Sequence, residues 1–221
     1  RCSSDLLNIG CTDSLNIAVF VPLYDKILMN YPHLDLSIQS HHSSELYGML
    51  SENNIDIGFV YHQLHYKNII SEKLFEEKLY LVQSEHPTVE KPIVHTDELD
   101  PTKELFLSWD DNFQIWHDRW LSSVSRPHIS ADTITLLDRL WKNADTWMIA
   151  PESVIHELSR YRKVYVSELK NPAPNRICYK IKHKYPKTTS KRAVELFEEI
   201  LEQLLHLERK EIPIGEIWGG Q

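Results

Sequence analysis

The sequence predicts an α/β fold built from two lobes of about equal size. In the first part of the chain, short stretches that alternate apolar and polar residues are interleaved with stretches that have an apolar residue at every third or fourth position. The first pattern is typical of strands and the second of helices. Strands and helices that alternate with short links predict a parallel sheet with right-handed crossovers. The middle of the chain repeats this order less regularly and predicts the second lobe.

The first lobe opens with a predicted strand over residues 7–9 that ends at Gly10. Apolar residues then recur with helical spacing from position 20 to position 31. Pro22 is expected to begin or kink this helix, because proline has no N–H donor. Residues 34–38 alternate again and predict the second strand of this lobe.

A second helix of the first lobe is predicted to turn Leu46, Met49 and Leu50 inward. We expect Ser43 or Ser44 to be its N-cap, since a hydroxyl at that position accepts from free backbone N–H groups. Asparagine tolerates the left-handed conformation that ends many helices, so residues 53–54 are the expected stop. Residues 55–59 predict the third strand.

The remaining elements follow from the same patterns. Further strands are predicted at residues 78–82, 105–107, 128–129, 146–150 and 176–182. Further helices are predicted to begin at Asp110 or Asp111, at Thr133, at residues 151–152 and near residues 188–189.

Polar residues stand where four predicted strands end. In α/β sheets, ligands bind at the carboxyl ends of the strands, and free N–H groups at helix N-termini favour an anion there. These positions give the candidate ligand-binding residues Thr12, Asp13, Ser14, His41, Ser43, Ser44, Trp109, Asp110, Asp132 and Thr133. For several of them a structural role stays open: Ser44 as a helix cap, Trp109 as a packing residue, and Asp110 and Asp132 as caps.

Charge and cysteine content exclude several classes of protein. The net charge is −8, from 32 acidic and 24 basic residues, so the chain alone is predicted to bind nucleic acid poorly. Three scattered cysteines form neither a disulfide framework nor a zinc spacing, which favours a reducing cytoplasm. The apolar runs are shorter than a membrane span, and the chain does not open on a signal-peptide pattern.

The sequence predicts no metal, no cofactor and no enzyme. His41 and His42 are adjacent at a strand end, so they point to opposite faces and cannot easily bind one metal. His62 and His65 have closer to ligand spacing, but no set of cysteines or carboxylates completes a site. Nucleophile-elbow, phosphate-loop and metalloprotease motifs are absent from the sequence.

Several motifs of the chain occur in a characteristic order: Ile9-Gly10, Val21-Pro22-Leu23, residues 31–36, residues 50–59, the stretch LFEEKLYLVQSEHP and the stretch DTITLLDRLWKNADTWMIAPESVI. Together these motifs resemble the effector-binding domain of LysR-type transcriptional regulators. Their order and spacing cover roughly residues 6–207. The resemblance implies a type 2 periplasmic-binding-protein-like fold, in which two crossing strands join two Rossmann-like lobes. Lobe I is then expected at residues 5–76 plus 183–210, and lobe II at residues 77–182.

The resemblance also implies a function. It implies a small-molecule effector in the cleft between the lobes, with hydroxyl ligands at the positions of Thr12, Ser14 and Ser44. It further implies a homodimer or homotetramer, with the helix at residues 20–31 in the dimer contact, and DNA binding only through an N-terminal winged helix-turn-helix domain. No membrane partner is implied. Trp147 stands near a position where the family often has a Gly-x-Gly turn, so it is expected to narrow the cleft. The alternative is a free-standing solute-binding protein of a transporter, which has the same fold.

Overall fold

The structure is a computed structural model that describes residues 5–84, 87–121, 126–207 and 212–218. It confirms the predicted α/β fold class. In chain order its elements are β1 Asp5–Cys11, α1 Asp13–Leu15, α2 Val21–Asn30, β2 Leu34–Ser40, α3 Ser43–Ser51, β3 Ile57–Val60, β4 Ile69–Glu77, β5 Leu79–Ser84, β6 Ile93–Val94, β7 Leu105–Phe106, α4 Asp111–Trp120, β8 Ile129–Ser130, α5 Ile134–Leu140, β9 Trp147–Pro151, α6 Glu152–Ser159, β10 Val164–Leu169, β11 Arg176–His183, α7 Lys191–Leu207 and β12 Gly215–Ile217. Within the described ranges, no helix has the length and apolar character needed to cross a membrane.

The chain divides into two compact units. Unit 1 combines Arg1–Phe75 with Ile177–Lys210, and unit 2 combines Glu76–Arg176 with Glu211–Gln221. The return to unit 1 therefore falls within β11 and not at the expected residue 183. The reason is strand pairing, because β11 is hydrogen-bonded antiparallel to β3 and so belongs to the sheet of unit 1.

Unit 1 is a five-stranded sheet in the order β2-β1-β3-β11-β4. As the crossover pattern predicts, β1 is parallel to both β2 and β3. Helices α2 and α7 pack on one face of this sheet, where Phe20 lies edge-on to both Phe59 and Phe197. Helix α3 packs on the other face, against Val60 and Ile181. The central strand β3 is therefore buried on both sides, which explains why its side chains are all apolar.

The helix predicted over residues 20–31 is confirmed and belongs to a longer helical segment. It consists of α1, a π-helical turn at Asn16–Phe20 and α2. Pro22 lies in the first turn of α2, directly after the π turn. A proline has no N–H to donate, so the hydrogen-bond ladder is interrupted at this point.

The N-cap of α3 is His42, so the prediction of Ser43 or Ser44 as its cap is wrong. The His42 backbone N–H donates to the Glu45 carboxylate at 3.2 Å, as in a capping box. The Ser43 hydroxyl accepts instead from the backbone N–H of Tyr61, at 3.1 Å. A tertiary contact has therefore taken the hydroxyl that was expected to cap the helix.

Helix α3 ends at the predicted left-handed residue, Asn53, which has a φ of 60°. The helix lies directly over Gly10 of β1. A Cβ atom at Gly10 would stand 2.5 Å from the Leu46 Cδ2 atom and 2.7 Å from the Ile55 Cδ1 atom. The absence of a side chain at position 10 is therefore what lets α3 approach the sheet so closely.

An ion-pair cluster joins β11 to α7 in unit 1. The Lys180 ammonium contacts the carboxylates of Glu72, at 3.0 Å, and Glu198, and Lys182 donates to Glu198 at 2.7 and 2.9 Å. Partial burial favours a raised pKa for the Glu198 carboxyl, but the hydrogen bonds and charges of the two lysines outweigh it and lower that pKa. Glu198 is therefore ionised at neutral pH.

The main sheet of unit 2 has the order β12-β10-β5-β9, and β6 also pairs with β10. Strands β7 and β8 form a separate parallel pair. Helix α5 buries Ile134 and Leu137, whereas Leu136 and Leu140 are exposed.

Strand β12 joins unit 2 and was not predicted from the sequence. It pairs antiparallel with β10, with Ile217 opposite Val164. Next to this pair, the Lys163 ammonium lies 5.6 Å from the centre of the Trp218 ring and 4.0 Å from the Glu216 carboxylate. Three consecutive residues of β12 thus complete the sheet beside β10.

Candidate functional site

The first group of predicted site residues lies at one edge of the unit 1 sheet. Cys11, the last residue of β1, is paired in register with Ser40 of β2 and Phe59 of β3. The His41 backbone N–H donates to the Cys11 carbonyl at 3.1 Å, which holds the end of β2 to the end of β1. The polar residues that follow these three parallel strands therefore share one edge, as the sequence predicted.

Thr12 and Ser14 begin the helical segment at this edge. The Thr12 carbonyl accepts from the N–H groups of Leu15 and Asn16, each at 3.1 Å, so the Thr12 backbone closes the first turn. The Thr12 and Ser14 hydroxyl oxygens are 3.4 Å apart. The Thr12 hydroxyl does not cap the helix, and it is the less buried of the two, since Ser14 is buried.

The other predicted residues of this edge have different roles. Ser44 is exposed, and Ser43 is engaged with the backbone after β3. His41 is exposed, and its Nδ1 atom lies 3.4 Å from the Glu45 carboxylate. Asp13 is partly buried in the first helical turn. Ser44 and His41 therefore present polar groups to solvent at this edge, while Ser43 holds the end of β3.

A hydrogen-bonded network at the same edge was not predicted. The Asn16 amide oxygen accepts from the Cys11 thiol and from the Tyr24 hydroxyl, each at 2.7 Å. The Asn16 amide nitrogen donates to the Ser40 hydroxyl at 2.7 Å. Burial, the largest cause, raises the pKa of the Cys11 thiol to about 12, and burial also raises the pKa of the Tyr24 phenol. Both groups therefore keep their protons, and Asn16 connects a buried pair of donors to an exposed hydroxyl.

The remaining four predicted residues lie in unit 2. Trp109 is buried, and its indole N–H donates to the Ile149 carbonyl at 2.7 Å. The Arg176 guanidinium stacks 4.8 Å from the centre of the Trp109 ring. The Asp110 carboxylate caps α4 by accepting from the Phe113 N–H at 2.8 Å, as one of the two interpretations predicted. This tryptophan is therefore a packing residue of unit 2.

Asp132 and Thr133 follow β8 and precede α5. The Thr133 hydroxyl caps α5, at 3.4 Å from the Leu136 N–H, which confirms the predicted start of this helix. The cap of α5 is thus Thr133, and Asp132 is exposed next to it. Trp147 is fully buried, and its indole N–H donates to the Asp100 carbonyl at 2.9 Å. Trp147 is thus a core residue of unit 2, and its effect on the width of the cleft stays a prediction.

Metal binding finds no support at either group of residues. Across the part of the chain that the structure describes, no three histidine, cysteine, aspartate or glutamate side chains are grouped closely enough to hold a metal ion. The donors at the unit 1 edge are hydroxyls and an amide, which suit hydrogen bonding to an organic or inorganic ligand better than metal coordination.

These features define a class of protein: α/β domains with the periplasmic-binding-protein-like fold, found in LysR-type regulators. Residues 3–205 match the family model of the LysR substrate binding domain. The chain belongs to this family, which provides the effector-binding domains of LysR-type transcriptional regulators. It is a family of regulatory domains and not of enzymes. No curated protein matches the chain in sequence.

Solved structures share the fold at low sequence identity. The regulatory domain of MexT, a transcriptional activator in Pseudomonas aeruginosa, is 11% identical with a TM-score of 0.74, over 90% of this chain and 99% of that chain. The reduced form of the OxyR regulatory domain from Pseudomonas aeruginosa is 16% identical with a TM-score of 0.71, over 90% and 97%. An OxyR mutant from Porphyromonas gingivalis is 14% identical with a TM-score of 0.69, over 95% and 98%.

Proposed function

We propose that this chain senses a small anionic effector, such as a carboxylate, at the edge of the unit 1 sheet. The supporting observation is that hydroxyls follow both strand ends: those of Thr12 and Ser14 lie 3.4 Å apart after β1, and Ser40 ends β2 in register with Cys11. Two helical segments also begin at this edge, the one from Asp13 and the nine-residue α3. Their free N–H groups and dipoles favour negative charge. That the ligand also contacts unit 2 stays a prediction from the family resemblance.

The competing proposal is an effector with an amine, held by the carboxylates of unit 2. The Asp110 carboxylate is occupied as the cap of α4, so Asp132 is the exposed carboxylate that this alternative requires. One exposed carboxylate is a weaker basis for recognition than three hydroxyls at two helical N-termini. The anionic effector is therefore the better supported proposal.

A ligand screen followed by calorimetry tests the proposal. A ligand at 100 times its dissociation constant adds about 2.7 kcal/mol to the unfolding free energy, which a thermal scan resolves. We expect small carboxylates to raise Tm, and Thr12→Val and Ser44→Ala to weaken the best of them. Ser44→Ala is a clean variant because His42, and not Ser44, caps α3. Unchanged affinity in both variants, with loss of binding in Asp132→Asn, would establish the amine alternative instead.

We also propose that the protein acts on DNA in the cytoplasm. LysR regulators bind small-molecule effectors, oligomerise and bind DNA through an N-terminal domain. For this protein we assign DNA contact to a winged helix-turn-helix N-terminal to the given sequence, because the net charge of this chain is −8. A gel-shift assay should detect no DNA binding by this chain at physiological salt. Affinity tighter than about micromolar would contradict this assignment.

A homodimer through α2 is the proposed assembly. The exposed apolar residues of α2 and its end are Val21, Leu28, Met29 and Tyr31. A cluster of this kind is typical of a protein interface. Sedimentation should show a dimer at micromolar concentration that Met29→Glu dissociates, because the substitution puts a charge into the apolar contact. A wild-type chain that stays monomeric at high micromolar concentration would refute the assembly.

A further inference from the structure

Asn16 connects three elements of unit 1 through one side chain. Its amide oxygen accepts from Cys11 at the end of β1 and from Tyr24 on α2. Its amide nitrogen donates to Ser40 at the end of β2. Cys11 and Tyr24 are buried, Asn16 is partly buried and Ser40 is exposed. The hydrogen bonds therefore run from the core of unit 1 to the candidate ligand edge.

Which atom donates and which accepts in each of these hydrogen bonds follows from the donor and acceptor groups that are present. The Cys11 thiol and the Tyr24 hydroxyl are both protonated, and a buried O–H or S–H requires an acceptor. A carbonyl oxygen has two lone pairs and can accept from both, whereas the thiol sulfur is a weak acceptor. This fixes the Asn16 amide with its oxygen inward and its N–H groups towards Ser40. Since the Ser40 oxygen accepts from Asn16, the Ser40 hydroxyl directs its own proton away from Asn16.

We propose that Asn16 is a positioning residue that makes Ser40 a hydrogen-bond donor to the effector and thereby selects ligands with acceptor oxygens, such as carboxylates. This inference rests on the proposed function, because it assigns the ligand to the same edge of unit 1. It adds a mechanism of selection that the hydroxyls alone do not provide. A serine hydroxyl can donate once and accept twice, and the bond from Asn16 occupies one of the two lone pairs of Ser40 while its proton stays available to the ligand.

The opposite orientation of the amide makes the opposite selection. If the Asn16 nitrogen pointed inward, its oxygen would accept from Ser40, and the Ser40 lone pairs would face the ligand. An amine or hydroxyl donor would then be preferred. The orientation of one amide group therefore distinguishes two classes of effector, and it is measurable without any ligand.

The S–H stretching vibration of Cys11 reports this orientation directly. In the proposed orientation the thiol donates to the Asn16 oxygen, so its band lies at lower frequency than that of a free thiol. The variant Cys11→Ser identifies the band, because it removes this S–H and keeps a donor. Asn16→Leu removes the acceptor and should move the band to higher frequency, whereas Asn16→Asp retains an acceptor oxygen and should keep it low. An unmoved band in Asn16→Leu overturns the proposed orientation.

A double-mutant cycle tests whether the orientation of the Asn16 amide affects the affinity for the ligand. The probe is sodium acetate, titrated by NMR at an ionic strength held constant with sodium chloride. Tyr24→Phe removes one donor that holds the amide and should weaken acetate binding about threefold to tenfold, the range of one ordinary hydrogen bond. In the background of Ser40→Ala the same substitution should have no further effect. Tyr185→Phe is the matched control, since Tyr185 is 66% exposed and belongs to unit 1.

The two experiments separate the failure of this inference from the failure of the proposed function. If acetate does not bind the wild-type chain, the anionic effector and the ligand class inferred here are both overturned. If acetate binds and Thr12→Val weakens it, but Tyr24→Phe acts equally with and without the Ser40 hydroxyl, the proposed function stands and the role of Asn16 is overturned. A moved S–H band together with coupling between Tyr24 and Ser40 supports the inference.

Discussion

Adding one methyl group at Gly10 should destabilise unit 1, whereas adding it at Gly48 should not. In Gly10→Ala the new Cβ would stand 2.5 Å from Leu46 and 2.7 Å from Ile55. Both of these side chains are completely or almost completely buried, so they have little room to move. Overpacking of this kind typically costs about 1–3 kcal/mol. At Gly48, in the middle of α3, a Cβ would have no atom within 4 Å.

The sign of the effect should therefore differ between two identical substitutions. Glycine inside a helix costs about 0.5–1 kcal/mol relative to alanine, so Gly48→Ala should stabilise the chain by about that amount. For a protein of this size, about 1 kcal/mol corresponds to a Tm change of about 2–4 °C. We thus expect Tm to fall by about 2–12 °C in Gly10→Ala and to rise by a few degrees, about 1–4 °C, in Gly48→Ala.

Urea denaturation and thermal unfolding, both followed by circular dichroism, measure these changes. The midpoint in urea should shift in opposite directions for the two variants at an unchanged slope. A Gly10→Ala chain as stable as the wild type would show that α3 can move away from β1 without cost. The close contact between α3 and β1 would then not be a determinant of stability.

Three further predictions concern single side chains. Ser43→Ala should lower the unfolding free energy measured in urea by about 1–3 kcal/mol, because it leaves the Tyr61 N–H without its acceptor. Ser44→Ala should change that free energy by no more than about 0.5 kcal/mol. Equal costs would contradict the assigned cap. Iodoacetamide at about pH 8 should alkylate Cys11 about a thousandfold more slowly in the native chain than in the unfolded chain, because the pKa of the buried thiol is raised to about 12. Mass spectrometry measures both rates, and similar rates would disprove the buried thiol. The lowered pKa of Glu198 gives stability that is present above the pKa of the unfolded carboxyl and is lost as pH falls through the folded pKa. Glu198→Gln should therefore reduce the loss of stability in acid. An identical decrease of stability with falling pH in wild type and variant would argue against it.

The order of strands and helices in unit 1 was predictable because each element has a local signal. Strands β1, β2 and β3 alternate or are continuously apolar, and Asn53 marks the end of α3 in a conformation that few other residues adopt. The prediction that polar residues would meet at one sheet edge also followed, since parallel strands place their carboxyl ends together. What these elements share is that their determinants lie within a few residues of one another.

The errors arose where a distant residue competes for a local group. The cap of α3 shifted to His42 because the hydroxyl of Ser43 accepts from a backbone N–H 18 positions later. The network of Asn16 depends on the close approach of Cys11, Tyr24 and Ser40, which no spacing in the sequence indicates. Trp109 was a candidate ligand-binding residue, but its indole N–H donates to the Ile149 carbonyl inside unit 2, and the indole of Trp147 donates to the Asp100 carbonyl in the same unit.

Strand β12 has a practical consequence for anyone who shortens this chain. The family match ends at residue 205, ahead of β12, and thus suggests a convenient truncation point. Truncation there would delete the partner of Val164–Val166 of β10 and would leave unpaired the backbone groups that face β12, while the pairing with β5 would remain. Uncovered strand edges recruit strands from other molecules, so the shortened chain would be prone to aggregate. Residues 212–218 should therefore be retained in any expression fragment of this domain.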